Sequence, residues 1–193
     1  SWFVDSFAIG ISFVATQSSD SWNLVNVYGP CSGQRRGDFT NWLFDLNIPD
    51  DENWLILGDF NFIRSTNNKN KHGGDAADML LFNELIPAQS LMELPVKGRA
   101  FTWSNMQDDP LLEQLDWFFS SSCWTTSYPN TMVLPLGKPM SDHIPCVVTI
   151  ESSIPRSKHF RFENYWTNHG GFMEVVANSC SKTCHVLNAA ARI

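Results

Sequence analysis

The run Trp54-Leu55-Ile56-Leu57 is apolar without interruption and stops at Gly58. A short continuous apolar run of this kind suits a β-strand covered on both faces. Directly after the glycine come Asp59 and Asn61, with Phe60 between them. Side chains alternate along a strand, so a carboxylate and a carboxamide two positions apart are expected to point to one side. The stretch therefore demands a layered sheet protein with a polar pair at the end of a core strand.

The rest of the chain supplies the layers. Residues 7–16 and 22–28 read as two strands joined by a turn at Gln17-Ser18-Ser19-Asp20-Ser21. Residues 34–47 read as a helix, with Phe39, Trp42, Leu43 and Leu46 on one face. Asp75 is placed to cap a second helix that runs through Met79, Phe82 and Leu85 until Pro87 kinks or ends it. Short strands are expected at 100–104, 114–119, 130–134 and 144–150. The segment Glu151–Lys158 reads as a boundary, and 171–193 has a helical pattern. Helices interspersed with short strands argue for an α/β layered domain. No internal repeat appears.

With 193 residues, 43% of them hydrophobic, the chain can bury the core of one domain. Thirteen basic and 20 acidic side chains give a formal charge of -7. That balance lacks the basic footprint expected of a nucleic-acid binder. Five cysteines without a framework spacing argue for a reduced, intracellular chain, in the nucleus or the cytoplasm. No apolar stretch is long enough to span a bilayer, so no membrane partner is expected. The first residues lack a basic region before their apolar run and there is no initiator Met, so the chain is expected to be a piece of something longer.

Candidate chemistry lies where strands end. Tyr28 follows Leu24-Val25-Asn26-Val27, Asp59 and Asn61 follow the central apolar run, Asp116 sits in Gln114-Leu115-Asp116-Trp117, and Asp142-His143 precede an apolar stretch. Acids, one histidine, one asparagine and one tyrosine near strand ends make a plausible metal-assisted hydrolytic site. A hard cation such as Mg²⁺ takes carboxylate oxygens and keeps waters. An aspartate can take the proton of an attacking water, and an asparagine can fix that water. A histidine held by an aspartate has raised proton affinity and can hydrogen-bond phosphoryl oxygens. Each piece alone also has a structural reading. Gly-Asp after a strand is often a turn, and Asp116 among apolar neighbours requires only some partner. Cys180, Cys184 and His185 are too few for a closed zinc site. Lys69, Lys71 and His72 read as a solvated loop, and Trp103 as sheet packing rather than a base-stacking platform.

Taken together and in order, Val-Tyr-Gly-Pro (27–30), Ile-Leu-Gly-Asp-Phe-Asn-Phe-Ile-Arg (56–64), Phe-Asn-Glu-Leu-Ile (82–86), Leu94–Asn105, Leu115–Trp124 and Ser-Asp-His-Ile-Pro (141–145) resemble the endonuclease domain of plant LINE-type non-LTR retrotransposons. That domain is a branch of the endonuclease/exonuclease/phosphatase superfamily, which includes apurinic/apyrimidinic endonucleases. The resemblance covers most of residues 5–166. Phe160–Trp166 resembles the link toward a reverse transcriptase. It implies a four-layer α/β/β/α sandwich of two mixed, mainly antiparallel sheets, here a partial one missing its N-terminal strands. Residues 1–155 would be the domain, and 156–193 a linker and helix leading toward a reverse-transcriptase region.

The resemblance also implies roles. Asp59 matches the acid that activates the attacking water, and Asn61 the amide that orients it. His143 matches the histidine on the scissile phosphate, Asp116 the acid that orients that histidine, and Tyr28 a phosphate-contacting tyrosine. Asp142, with Asp59, would lie at the metal, which is Mg²⁺ or Mn²⁺. Thr102 and Ser141 would bind substrate. The implied activity is nicking of DNA by a monomer ancestrally fused to a reverse transcriptase. Members of the family also carry an asparagine and a metal-binding glutamate on earlier strands, for which no residue before Tyr28 is a match. Arginines usually flank Leu115-Asp116, where this chain has Gln114 and Trp117. Two other functions therefore stay open: a catalytically inactive remnant, and a phosphatase of the same superfamily acting on phosphoinositides or sugar phosphates.

Overall fold

The central apolar run becomes strand β4 of a six-stranded sheet. The computed structural model describes residues 2–14, 20–137, 141–150 and 171–181. In chain order the elements are β1 (Trp2–Val4), β2 (Ala8–Val14), β3 (Ser21–Tyr28), α1 (Arg35–Asp45), β4 (Trp54–Asp59), α2 (Ala76–Ala88) and β5 (Met92–Glu93). They continue with β6 (Trp103–Ser104), β7 (Leu112–Glu113), β8 (Asp116–Ser120), α3 (Ser122–Ser127), β9 (Met132–Pro135), β10 (Cys146–Thr149) and α4 (Phe172–Ser181). The large sheet has the order β1-β2-β3-β4-β8-β5, and β9 with β10 and β6 with β7 form two small sheets. Only β3 and β4 pair in parallel, because α1 returns the chain between them; the other pairs are antiparallel. The fold is a mixed α/β sandwich, as the sequence led one to expect.

Register explains the layers. Val25, Ile56 and Phe119 are cross-strand partners, as are Val27, Gly58 and Trp117, so they share one face of the sheet. That face carries the core, closed by Phe39 and Leu43 of α1 and by Phe82, Leu85 and Ile86 of α2. Aromatic rings fill it edge to face: Phe60 lies 5.5 Å from Phe119 and Phe39 lies 6.2 Å from Phe60. Such pairs add about 0.5–1.5 kcal/mol beyond their buried area. The opposite face carries Leu55, Leu57 and Phe118 in the alternate register. Toward its β2 side that face leaves Ile9, Ile11 and Phe13 exposed, with Phe13 stacked on Trp22 at 4.2 Å.

The two helices obey their sequence signals. Asp75 caps α2 by accepting from the backbone N–H groups of Ala77 and Asp78. Pro87 does not end the helix before itself; it sits in the last turn, and α2 runs one residue further to Ala88, with Gln89 as its C-cap. The sequence reading missed β1, β5, β7 and α3, all of six residues or fewer. Such elements are too short for a periodic signal and form because a neighbour supplies their hydrogen bonds.

Contacts divide the chain into two compact units, 1–153 and 154–193. Of the second unit the structure describes α4, whose Met173 and Val175 are exposed. The boundary segment 151–158, the link 160–166, and Cys184 and His185 lie outside the described residues, as does the side chain of Cys180. Cys31, Cys123 and Cys146 are free thiols. Among the described residues no helix is long and apolar enough to cross a membrane.

Candidate active site

Three of the expected site residues fall on a single row of the large sheet. Tyr28 is the parallel partner of Asp59, and Asp59 is the antiparallel partner of Asp116. The row closes β3 and β4 and opens β8, on the face away from α1 and α2. Sequence separation thus disappears: residues far apart in the chain arrive side by side because each strand is in register with the next.

The end of β4 is shaped by two backbone approaches. Gly58 has φ +135, and a Cβ there would lie 2.1 Å from the carbonyl oxygen of Val27. A Cβ on Gly29, just past β3, would lie 2.2 Å from the carbonyl oxygen of Phe60. Glycine is required at both places because only it permits such contact. The N–H of Gly29 donates to the Asp59 carbonyl at 2.7 Å, which locks the two strand ends together. Asp59 and Asn61 then meet by a turn rather than by strand alternation. Asn61 adopts φ 55; its backbone N–H donates to Asp59 Oδ1 at 3.0 Å and its Nδ2 to Asp59 Oδ2 at 2.9 Å. The same Nδ2 also donates to the Gly29 carbonyl at 2.8 Å. Asparagine tolerates this left-handed conformation better than most residues.

His143 enters from a separate segment. Residue 143 bridges Trp103 in antiparallel fashion, the N–H of Ser104 donates to the Asp142 carbonyl, and the N–H of Ile144 donates to the Thr102 carbonyl. These bonds carry the imidazole to the row. His143 Nδ1 lies 2.9 Å from Asp116 Oδ2, and Nε2 lies 3.6 Å from Asp59 Oδ2. The ring is thus held between two carboxylates of adjacent strands, and Asp116 has the partner its apolar neighbours demand.

One of the expected substrate contacts is placed otherwise. Thr102 is 1% exposed, and its Oγ1 accepts from the backbone N–H groups of Leu115 and Asp116. It cannot touch a substrate; it holds the start of β8 and hence Asp116. The hydroxyl of Ser141 accepts from the His143 N–H at 3.1 Å, which fixes the turn that presents the imidazole. Trp103 donates from Nε1 to Asp142 Oδ2 at 3.1 Å and lines the same cleft. Lys69 pairs with Glu113 at 2.9 Å and Lys71 with Asp109 at 2.6 Å. Tyr28, by contrast, is 68% exposed and open to a ligand.

The electrostatics separate the two members of the acid–imidazole pair. Burial, then the charge of Asp116, pushes the Asp59 carboxyl up to about 6, against the pull of His143 and Asn61. The hydrogen bond that Nδ1–H donates to Asp116 raises the His143 imidazole above its usual value, outweighing its partial burial. The Trp103 hydrogen bond lowers the Asp142 carboxyl.

A cleft of about 590 Å³ opens over the row, lined by Tyr28, Arg36, Asp59, Asn61, Asp142 and His143 among others. Asp75, Asp78 and Glu113 also line it. Among the described residues no group of three His, Cys, Asp or Glu side chains is arranged to hold a metal ion. The cleft, in its described residues, is therefore no metal cage by itself. Its donors are nonetheless hard oxygens, and Mg²⁺ commonly takes one or two carboxylates, with waters and substrate phosphate oxygens completing its shell. Asp59, half-buried and repelled by Asp116, is a carboxylate that a cation would stabilise. The residues fit a cation shared between chain and substrate. Arg36, which the sequence reading passed over, also belongs to this cleft; an arginine in the first turn of α1 carries no motif that would have marked it.

No protein-family model matches the chain. It is similar to the uncharacterized 149 kDa protein of transposon TX1 from Xenopus laevis, 28% identical over 174 residues, which are 84% of this chain and 13% of that protein. Among solved structures it superposes on the endonuclease domain of TRAS1, a telomere-specific non-LTR retrotransposon, with a TM-score of 0.55 at 16% identity, covering 76% of this chain and 63% of that one. It superposes on a beta toxin of Staphylococcus aureus with a TM-score of 0.53 at 13% identity, covering 75% of this chain and 57% of that one. The chain thus spans a small part of the transposon protein and less than two thirds of either structure. The chain shares the fold of the TRAS1 endonuclease domain and of the beta toxin, and its sequence is similar to that of a transposon protein.

Proposed function

We propose that this chain is the endonuclease part of a retrotransposon protein, a phosphodiesterase that nicks DNA with Mg²⁺ or Mn²⁺ and works beside a reverse transcriptase. The observation that carries the reading is the imidazole of His143 between Asp116 and Asp59 at 2.9 and 3.6 Å, at the floor of an open cleft.

In this reading the Asp59 carboxylate takes a proton from a water as the water oxygen bonds to phosphorus and the bond to the leaving oxygen breaks. Both amide hydrogens of Asn61 have acceptors in the chain, Gly29 and Asp59, so its Oδ1 is the atom left to accept from that water. The protonated His143 donates from Nε2 to a phosphoryl oxygen, while Asp116 holds the ring by Nδ1 and stabilises its charge. The exposed Tyr28 hydroxyl donates to a second phosphoryl oxygen. Asp59 and Asp142 would hold the cation, which when bound neutralises the phosphate and the charge that grows on it.

The test is nicking of supercoiled plasmid by the purified chain with Mg²⁺, beside Asp59→Ala and His143→Ala. Nicking lost in both variants supports the assignment. A second reading, a folded domain without turnover, draws on the lack, among the described residues, of a three-ligand metal group; a cooperatively melting chain that does not nick would establish it. Hydrolysis of a small phosphoester without nicking would instead favour a phosphatase.

A further inference from the structure

Arg36 stands at the first turn of α1, and the whole guanidinium is turned inward over the site. Its Nη1 faces three carbonyl oxygens, those of Asn61 at 2.8 Å and of Pro30 and Cys31 at 3.2 Å. Its Nε and Nη2 both reach Asp78 Oδ2, at 2.9 and 2.8 Å, in the first turn of α2. Its Cζ lies 3.7 Å above the ring of Phe62, which is buried. One side chain therefore fastens the loop after β3, which carries on from Tyr28, to the turn after β4, which carries Asn61, and anchors both to two helices.

We infer that Arg36 is the positioning residue of this site, holding Asn61 in its left-handed turn so that its carboxamide stays on Asp59 and Gly29. The inference rests on the endonuclease reading for its effect on rate, and on geometry alone for its effect on Asn61. A phosphate-binding arginine would offer free N–H groups to the cleft. Here Nε, Nη1 and Nη2 each have a partner within the chain, and at most one Nη2 N–H is left over, so holding the chain is its main task. Asn61 at φ 55 makes such a clamp necessary, because a non-glycine residue in that region is held there only by its surroundings. Only a planar fork can meet an acid on one edge and several carbonyls on the other; a lysine ammonium is a point donor on a flexible stem.

Three variants test it: Arg36→Ala, Arg36→Lys and Asp78→Asn, the last loosening the guanidinium from behind should the first two fold poorly. Nicking by Arg36→Ala is expected to lose about a hundredfold in kcat, the cost of displacing a reacting group by about an ångström, with KM changed less than about threefold. Arg36→Lys recovers little of this, and added guanidinium ion restores part of the rate of Arg36→Ala but none to Asn61→Ala. In parallel, the side-chain amide protons of Asn61, followed by NMR, exchange faster in Arg36→Ala and Asp78→Asn than in the wild type. Unchanged exchange, or a rate loss that only tracks the folded fraction, overturns the inference. If the wild-type chain does not nick, the endonuclease reading fails, and the exchange of the Asn61 amide still decides the clamp by itself.

Discussion

The Nδ1 of His143 sits 2.9 Å from Oδ2 of Asp116, although 27 residues separate the two in the chain. The bond joins the first residue of β8 to a loop that β6 holds in place. It raises the proton affinity of the imidazole, while burial and Asp116 raise that of Asp59 on the neighbouring strand.

The first prediction is a pH window for nicking. Asp59 must be ionised, so the rate is expected to rise as that carboxyl loses its proton, at a pH below about 6 because the bound cation favours the carboxylate. His143 must be protonated, so the rate falls again above its raised value. The two limbs belong to the coupled pair rather than to either group. Asp116→Asn removes the cause of the upper limb and moves it to lower pH, with a rate loss of about 10²–10⁴ at neutral pH. Initial rates across pH, with the His143 ring protons followed by NMR, check both limbs.

Asp59 also makes stability depend on pH. Its folded value lies above its ordinary 3.8, so the native state holds this proton more tightly than the unfolded chain. The stabilising contribution is full below about 3.8 and is lost as pH rises through about 6. Asp59→Asn is therefore expected to melt above the wild type at pH 7.5 (roughly the upper end of the range in which stability is usually maximal), with the difference shrinking at lower pH. Calorimetry at several pH values decides it; a gap independent of pH would sink the account.

Thr102 gives a prediction of a different kind. Replacing it with valine keeps the shape and removes the hydroxyl that accepts from Leu115 and Asp116. Leaving buried donors unsatisfied costs about 1–3 kcal/mol. Urea denaturation should show that loss in Thr102→Val, while Thr102→Ser retains most of the wild-type stability. Equal stability for both would mean the hydroxyl is dispensable.

Gly58→Ala should be worse tolerated than its size suggests. The backbone conformation alone costs about 1–3 kcal/mol for a residue with a side chain, and the new Cβ would meet the Val27 carbonyl at 2.1 Å. The strands must part there, so the row of Tyr28, Asp59 and Asp116 is broken. Low soluble yield, or a native circular-dichroism spectrum without nicking, is the expected result; a fully active, equally stable variant would refute it.

Much of this molecule was legible in the chain. The apolar run before Gly58 identified the core strand, since four adjacent apolar residues need cover on both faces. The spacing of Phe39, Trp42, Leu43 and Leu46 identified α1, and Asp75 its role as the cap of α2. Asp59, Asn61, Asp116 and His143 stood out because polar groups cluster where apolar strands end. What the chain could not show was who meets whom. Thr102 reads in sequence like a polar residue of a binding edge, and only the pairing of 102–104 with β7 and with 142–144 turns it inward. Arg36 reads like a solvated helix residue, and only the approach of α2 and of two loops gives its guanidinium four partner atoms inside the chain. Strand and helix formation follow from local pattern, which a sequence records directly. Register and layer contact depend on how distant segments exclude water together, and those relations exist only once the chain has folded.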